Sequence, residues 1–566
     1  MISNNIINNS DRTYLYGFSI YYLISLLYFI IVIWANTDFC EGGYCLFMDE
    51  RITFNGVKQI LHSTGFIDLM SNIVGGDHRY GRILSYSSAA AAFFPELISG
   101  EKGQIIAVRM FHASILYASY CVLVFSFIKS WLFRNIGLII LIAIPSTSYY
   151  SGMPKPEPLQ LLFLSIFLYY ASKKDYSFGF HWVFLGLSFG SKISVIPLAS
   201  LWFIALFVYK YRKMNDKKPL LKSAFITSLY FILGWFIAEP LPLQSILTLN
   251  PNKFSIYLNS TFRNTTPGSD NPQVTFFTWL NYIFSDYFSI PFMLWLFIIP
   301  LFIILYFKSI KSYIHDIDRP KIISGWIFAV ASIVLILPIL FTTKRLWGFY
   351  LLNGIVLGCM SIIILSESAV ASFQEIRKNK RLRALSIFLS ALFATGLSFQ
   401  LWASFSYWSV LANRSTSQKH IELQNQYNYM NELIDDVAFN CDHKIRVCLD
   451  PNLYTIPDSD LTSVSIVYGP FLSWNKEYDI IFFCKQKIPS IRIASKECFD
   501  IEPWIKADLL YKKYVISNVN NEIDKADTLC QYYEFKQFNN TLYILIRKDV
   551  FRSTEKTISS KNSFSP

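Results

Sequence analysis

The sequence predicts a polytopic all-α membrane protein with about eleven transmembrane helices, followed by a small extracytoplasmic α/β domain. Three observations carry that prediction. The 566 residues are 53% hydrophobic and only 16% charged, with a mean hydropathy of +0.34, whereas a soluble domain carries about 25% charged residues. Long apolar runs alternate with short basic segments, as expected of helices that cross lipid with every backbone group satisfied internally. From about Asn413 the composition returns to that of soluble protein, dividing the chain into a membrane domain, 1–412, and a C-terminal α/β domain, 413–566.

The first run, Tyr14–Ala35, is long enough to span and lacks the small-residue cleavage site of a signal peptide, so it reads as a retained first helix. Basic clusters then set the topology. Lys129–Arg134, Lys173–Lys174, Lys210–Lys222, Lys308–Lys321 and Arg377–Arg383 fall to the cytoplasm by the positive-inside rule. The chain between any two of them must cross the membrane an even number of times. Between Arg134 and Lys173 the crossing is a hairpin of two short spans, broken at Pro154, Pro156 and Pro158, because prolines so closely spaced cannot continue a helix. Further hairpins turn near Gly190-Ser191-Lys192 and at Thr342-Thr343-Lys344-Arg345. Between those two, a span ends near Ala238, a far-side loop runs from Glu239 to about Ser289, and a return span follows. With the spans Ile105–Ile128 and Ala384–Phe405 the total is about eleven, an odd number that leaves the N-terminus inside and the C-terminus outside.

Two large segments therefore face the far side. The loop 36–104 holds two stretches with an amphipathic helical pattern, Gly56–Ser71 and Ile83–Ile98, suited to lying along the membrane surface. The C-terminal domain opens with a helical pattern through Ile421, Tyr427, Met430, Leu433 and Val437. Strand-like runs follow at Lys444–Leu449, Tyr478–Cys484, Leu509–Ser517 and Thr541–Arg547. Cys40, Cys45, Cys441, Cys448, Cys484, Cys498 and Cys530 lie in far-side segments, where oxidation is permitted, and none has zinc spacing. The formal charge of +12 does not point to nucleic acid, since the Lys and Arg residues sit in short loops where they set orientation. Walker A, G-x-S-x-G and H-E-x-x-H signatures are missing, so a transferase built on this chain would draw its activated donor from the membrane.

Candidate chemistry lies with charges that break the orientation rule. Arg51, Arg79, Arg82, Arg109, Lys155, Lys192, Lys344 and Arg345 all map to the far face, the last four at hairpin tips or span ends. Snorkelling accounts for any one of them. A set that converges from separate tips suits a phosphate or pyrophosphate attached to a lipid. Carboxylates are the second ingredient: Asp49 and Glu50 soon after the first span, and Glu157 in a Lys-Pro-Glu-Pro tip. A carboxylate beside a lipid-borne leaving group can act as general base toward an acceptor hydroxyl. Asp49 is equally suited to cap the helix that follows it. Glu157 is equally suited to a solvated turn, and Glu239 beside Pro240 is the weakest of the set.

Over about residues 14–410 these features resemble the GT-C membrane glycosyltransferases, which use polyprenyl-phosphate-linked sugars and include the protein O-mannosyltransferases and the lipid A aminoarabinose transferase. The acidic pair of the first extracytoplasmic loop corresponds to Asp49-Glu50-Arg51 in FMDERITFNGVKQIL, and the Arg opening the second span to Arg109 in IIAVRMFHASILYASY. The charged tip between spans three and four resembles MPKPEPLQLLFL, the small-residue-Lys tip FGSKISVIPL, and the Arg before a late span TTKRLWGFYLLNGIVL.

The resemblance implies that Asp49 is the catalytic base, with Glu50 or Glu157 as auxiliary carboxylate. Arg51, Lys192 and Arg345 would hold the donor phosphate with Lys155 and Lys344 beside them, and Arg79, Arg82 and Arg109 are secondary candidates. The function it implies is inverting transfer of a sugar from a polyprenyl-phosphate donor to an extracytoplasmic acceptor (a surface glycan, a lipid or a protein), at a bacterial inner membrane. No cofactor follows from the sequence; members differ in their need for a divalent metal, and no ligand set decides it. A polysaccharide polymerase or ligase would share donor and location. A transporter or lipid flippase fits less well, because internal repeats are missing and the charges gather at one face.

Overall fold

The computed structural model describes residues 19–34, 50–75, 80–151, 153–174, 177–262, 277, 319–342, 348–372, 391, 394–406, 408–409, 418–439, 441, 443–449, 453, 456, 461–466, 478–484, 533–538 and 542–549. These fall into two compact units, one holding the described residues up to 409 and the other those from 418 onward.

The first unit is helical. Its elements are α1 (Ser19–Trp34), α2 (Glu50–Leu61), α3 (Phe66–Val74), α4 (Ile83–Phe127), α5 (Trp131–Ile142), α6 (Pro145–Ser151), α7 (Pro156–Lys173) and α8 (Trp182–Ser191). A 3-10 turn (Ile193–Val195) leads into α9 (Ile196–Lys213), followed by α10 (Lys218–Ala238), α11 (Leu241–Leu247) and α12 (Pro251–Phe262). Then come α13 (Arg319–Thr342), a 3-10 turn (Gly348–Leu351), α14 (Leu352–Ser372) and α15, over 394–406. Among the described residues, four helical segments are long and apolar enough to cross a membrane: Ile83–Phe127, Ile193–Lys213, Lys218–Ala238 and Lys321–Phe341. Shorter apolar helices accompany them, including α1, α5 and α8. The expected return span after Ser289, the Arg377–Arg383 cluster and the run Leu509–Ser517 lie outside the described residues.

The sequence periodicity anticipated one helix over Gly56–Ser71, and the structure divides it. α2 stops at Leu61 and α3 begins at Phe66, where the Asp68 carboxylate reaches back to accept the Thr64 backbone N–H at 2.9 Å and ties the helix to the turn before it. None of the residues of α3 is buried, and Phe66 and Ile67 are exposed, which suits a helix resting on a bilayer surface. α4 joins the second expected amphipathic stretch to the expected span through Gly100, whose φ of +61° breaks the helix into two limbs. The limbs fold against each other, with the Ser88 hydroxyl 2.9 Å from His112 Nε2.

The core of this unit runs through the second limb of α4 and through α5, α7, α8, α13 and α14, with Leu116, Tyr120, Leu141, Leu164, Phe167, Val356 and Met360 all buried. Two seams bring helices unusually close. At Gly186 of α8 and Gly234 of α10, an added Cβ would lie 2.0 Å from a backbone oxygen of the other helix. α13 and α14 are joined by serine hydroxyls, Ser332 donating to the Gly354 carbonyl and Ser361 to the Gly325 carbonyl, each at 2.7 Å. Small residues and short hydroxyls at a helix seam are how apolar helices associate where lipid removes the hydrophobic driving force. Near the basic ends of these helices, Glu367 of α14 pairs with Lys321 of α13 and accepts the backbone N–H of Lys129 (3.0 Å) and Ser130, at the start of α5.

The described residues of the second unit form a five-stranded mixed sheet with α16 (Gln418–Phe439) packed on it. The strands are β1 (Ile445–Leu449), β2 (Thr462–Ile466), β3 (Ile480–Cys484), β4 (Tyr533–Phe538) and β5 (Leu542–Arg547), in the order β2-β1-β3-β5-β4. β1 runs parallel to β2 and β3, while β5 is antiparallel to β3 and β4. Buried Asp479, just before β3, accepts the Arg446 backbone N–H at 2.7 Å and the Arg547 guanidinium at 2.9 Å, tying the ends of three strands together.

Candidate active site

The Pro-rich tip is where the charges begin to gather. Lys155 holds an extended backbone as the N-cap of α7, and Pro156 occupies its first turn, where a missing N–H costs nothing because that amide would lack a helical acceptor. Glu157 follows in the same first turn, a favourable place for a carboxylate near exposed helix amides. Both side chains are buried, Lys155 at 1% and Glu157 at 2% exposure. The Lys155 ammonium donates to the Tyr80 hydroxyl at 3.2 Å and lies 5.3 Å from the centre of its ring.

Opposite this tip, α8 ends at Ser191 and Lys192 leaves the helix in an extended conformation before the 3-10 turn. α7 grips Lys192 at two points. Glu157 forms an ion pair with its ammonium, and one turn later Gln160 donates to its carbonyl at 2.6 Å. Gln160, itself buried, also accepts from Asn353 of α14 at 2.6 Å and from Ser194 at 3.2 Å. The Lys192 ammonium lies 4.1 Å from the centre of the Tyr350 ring, a cation–π contact. Among the described residues, Oε2 of Glu157 is buried without a hydrogen-bond partner.

The loop between α1 and α4 supplies the other walls. Glu50, the first residue of α2, is fully buried and makes a bidentate pair with Arg109 of α4, Nε to Oε1 and Nη2 to Oε2 both at 2.9 Å. Thr53, one turn further along α2, reaches the Pro154 carbonyl at 3.5 Å and so joins α2 to the Lys155–Glu157 tip. At Gly81 the backbone N–H donates to the Ser191 carbonyl at 3.1 Å. That approach needs glycine, since an added Cβ would sit 2.0 Å from the Gly190 carbonyl oxygen. Glu239, at the end of α10, accepts the Arg82 backbone N–H at 3.2 Å and that of Leu241 at 3.3 Å. Beside it, the Tyr86 hydroxyl donates to the Ile237 carbonyl at 2.8 Å.

The structure thus pairs Glu50 with Arg109 and Glu157 with Lys192, residues far apart in sequence, and joins α2 to the Lys155–Glu157 tip through Thr53. Arg82 has a different occupation: its guanidinium holds the Asn72 and Ile73 carbonyls at the end of α3 and the Ser85 hydroxyl, which makes it a brace for the loop. Asp49, Arg79, Lys344 and Arg345 lie outside the described residues, as does the side chain of Arg51. Sequence reading passed over Tyr80, Gln160, Tyr350 and Asn353. The signal for Gln160 was present, a polar residue one turn beyond Glu157 in an otherwise apolar helix. Among the described residues, no group of His, Cys, Asp and Glu side chains is arranged to hold a metal ion.

No family model matches the chain, and no curated protein matches it. Among solved structures, the chain is similar to ArnT from Cupriavidus metallidurans in the apo state, at 9% identity and a TM-score of 0.42, over 75% of this chain and 81% of that one. It is similar also to ArnT from the same organism bound to undecaprenyl phosphate, at 9% identity and a TM-score of 0.40, over 76% of this chain and 82% of that one.

Proposed function

We propose that this chain is a membrane glycosyltransferase that moves a sugar from a polyprenyl-phosphate donor to an acceptor outside the cytoplasm. The observation that carries the reading is Glu157, a buried carboxylate with one oxygen on Lys192 and the other unpartnered among the described residues. A buried acceptor left unsatisfied costs about 1–3 kcal/mol, and such a group in a folded protein calls for a purpose. Beside two lysines it is suited to orient a donor phosphate and an approaching hydroxyl.

In this reading the acceptor hydroxyl attacks the anomeric carbon from the face opposite the phosphate, so the new bond forms with inversion. The bond from that carbon to the phosphate oxygen breaks, and polyprenyl phosphate leaves with the bonding electrons. Lys155 and Lys192 stabilise the charge that develops on it, with Arg51, Lys344 and Arg345 as further donor-phosphate ligands. The hydroxyl proton passes to a carboxylate. Asp49 is the proposed base, one residue ahead of Glu50, whose pairing with Arg109 fixes the start of α2. Glu157 is the auxiliary group.

The test is mass spectrometry of surface glycans from a deletion strain carrying wild type, Asp49→Asn or Glu157→Gln, with insertion of each checked by blotting. The expected outcome is a defined sugar lost on deletion, restored by wild type and by neither variant. Restoration by Asp49→Asn removes Asp49 as base, and a glycan profile unchanged by deletion removes surface-glycan transfer.

A further inference from the structure

Both lysines of the proposed phosphate site answer to one short strap of chain, Tyr80–Arg82, which lies between α3 and α4. The Tyr80 hydroxyl accepts from the Lys155 ammonium at 3.2 Å. The Gly81 backbone N–H donates to the carbonyl of Ser191, the residue before Lys192, at 3.1 Å. Arg82 ends the strap, and its backbone N–H donates to Oε2 of Glu239 at 3.2 Å. Two of these three bonds come from backbone groups, which have no rotamers to absorb a shift. A displaced strap therefore disturbs both lysines at once.

Glu239 sits where a carboxylate is not at ease. It is fully buried and caps the C-terminal end of α10, where a negative charge opposes the helix dipole and burial adds a desolvation cost. Its oxygens are divided between two segments: Oε2 takes Arg82, and Oε1 takes the first amide of α11, Leu241, at 3.3 Å. The junction around it has no slack. An added Cβ at Gly81 would lie 2.0 Å from the Gly190 carbonyl oxygen, and one at Gly190 would lie 2.6 Å from the Ala238 Cβ. The strap, the end of α8 and the end of α10 thus meet at glycine contact distance, and Glu239 ties the strap to that junction.

We propose that Glu239 is a positioning residue, which acts through the backbone of Tyr80–Arg82 to fix Lys155 and Lys192 relative to each other for the donor phosphate. The proposal rests on the donor reading above. Its sign separates it from plain electrostatics. Removing a negative charge near an anion site tightens anion binding by Coulomb's law, whereas releasing the strap weakens it. Glu239→Gln keeps the shape but puts an amide NH2 in place of one oxygen, so one of the two backbone N–H groups faces a donor.

The test titrates the full chain in detergent with a long-chain polyprenyl phosphate and with the polyprenol of the same length, read by native mass spectrometry. Wild type should prefer the phosphate. Glu239→Gln should bind the phosphate about ten-fold more weakly, the scale of one lost buried hydrogen bond, and bind the polyprenol as before. Ser361→Ala, at the α13–α14 seam, controls for lost stability and should leave both affinities unchanged. Gly81→Ala, which forces the strap off Gly190, serves with the same expected loss if Glu239→Gln fails to insert. Unchanged or tighter phosphate binding, an equal loss for the polyprenol, or an equal loss in Ser361→Ala overturns the positioning role and leaves the donor reading standing. A wild type that does not distinguish the phosphate from the alcohol overturns both.

Discussion

Among the described residues of the helical unit, two buried glutamates pair with lysines, and the two pairs are built differently. Glu367 has its carboxylate filled: Lys321 on one oxygen, and the amides of Lys129 and Ser130 at the open start of α5. Glu157, with a side chain 2% exposed against 6% for Glu367, meets Lys192 with one oxygen and leaves the other unanswered among the described residues. The chemistry of the two pairs is the same, so the difference lies in satisfaction. A filled carboxylate joins three helices and needs nothing more, while a half-filled one stores a demand that a ligand can meet. By the positive-inside reading the filled pair is cytoplasmic and the half-filled pair faces out.

The comparison can be broken by exchanging the consequences of mutation. Glu157→Gln keeps the shape and removes the charge, and turnover by the purified protein should fall by about 10²- to 10⁴-fold, with thermal unfolding in detergent little changed. A variant that turns over normally would end the distinction. Glu367→Ala should do the reverse, lowering stability by about 3–5 kcal/mol because the Lys129 and Ser130 amides lose their acceptor at the same time as Lys321 loses its counter-charge, while activity per folded molecule persists. Gln160→Ala sharpens the contrast: it should remove about 1–3 kcal/mol and raise the donor KM more than it lowers kcat, since Gln160 steadies Lys192 through its carbonyl alone. The smallest effect belongs to Gly100→Ala, about 1 kcal/mol from a left-handed backbone position, because an added Cβ there meets nothing within 4 Å. A larger loss in a melting experiment would mean that the joint between the α4 limbs bears more than backbone strain.

Much of this architecture is legible in the sequence, and the failures have physical causes. Apolar run length located the second limb of α4 and α10, and proline chemistry located the turn before α7. The strand-like runs at 444–449, 478–484 and 541–547 coincide with β1, β3 and β5, whereas β2 and β4 went unseen. Those two are the edges of the sheet, and they carry Ser463, Ser465, Glu534 and Lys536, the polar residues that keep an edge from pairing further and that hide its apolar period. In the site, residue type and topology single out Lys155, Glu157 and Lys192. They cannot say that Glu157 meets Lys192, or that Arg82 turns back to α3, because those choices depend on the distances between chain segments after packing. Gln160 was missed for a related reason: a lone amide in an apolar helix gains meaning only from the neighbours that tertiary structure brings.

The sequence distances within these pairs bear on how the chain is made. Every described contact of the site apart from those of Ile237, Glu239, Tyr350 and Asn353 is formed by residues between Glu50 and Ser194, so most of its frame is available once α9 has been synthesised. The Glu367 staple joins residues 238 and 237 positions apart and can close only after α14 has been synthesised. Until then the first amides of α5 must be satisfied by water or headgroups. Chains arrested before residue 367 would thus carry most of the site's frame while the start of α5 is still open, the partly folded species on which quality control acts.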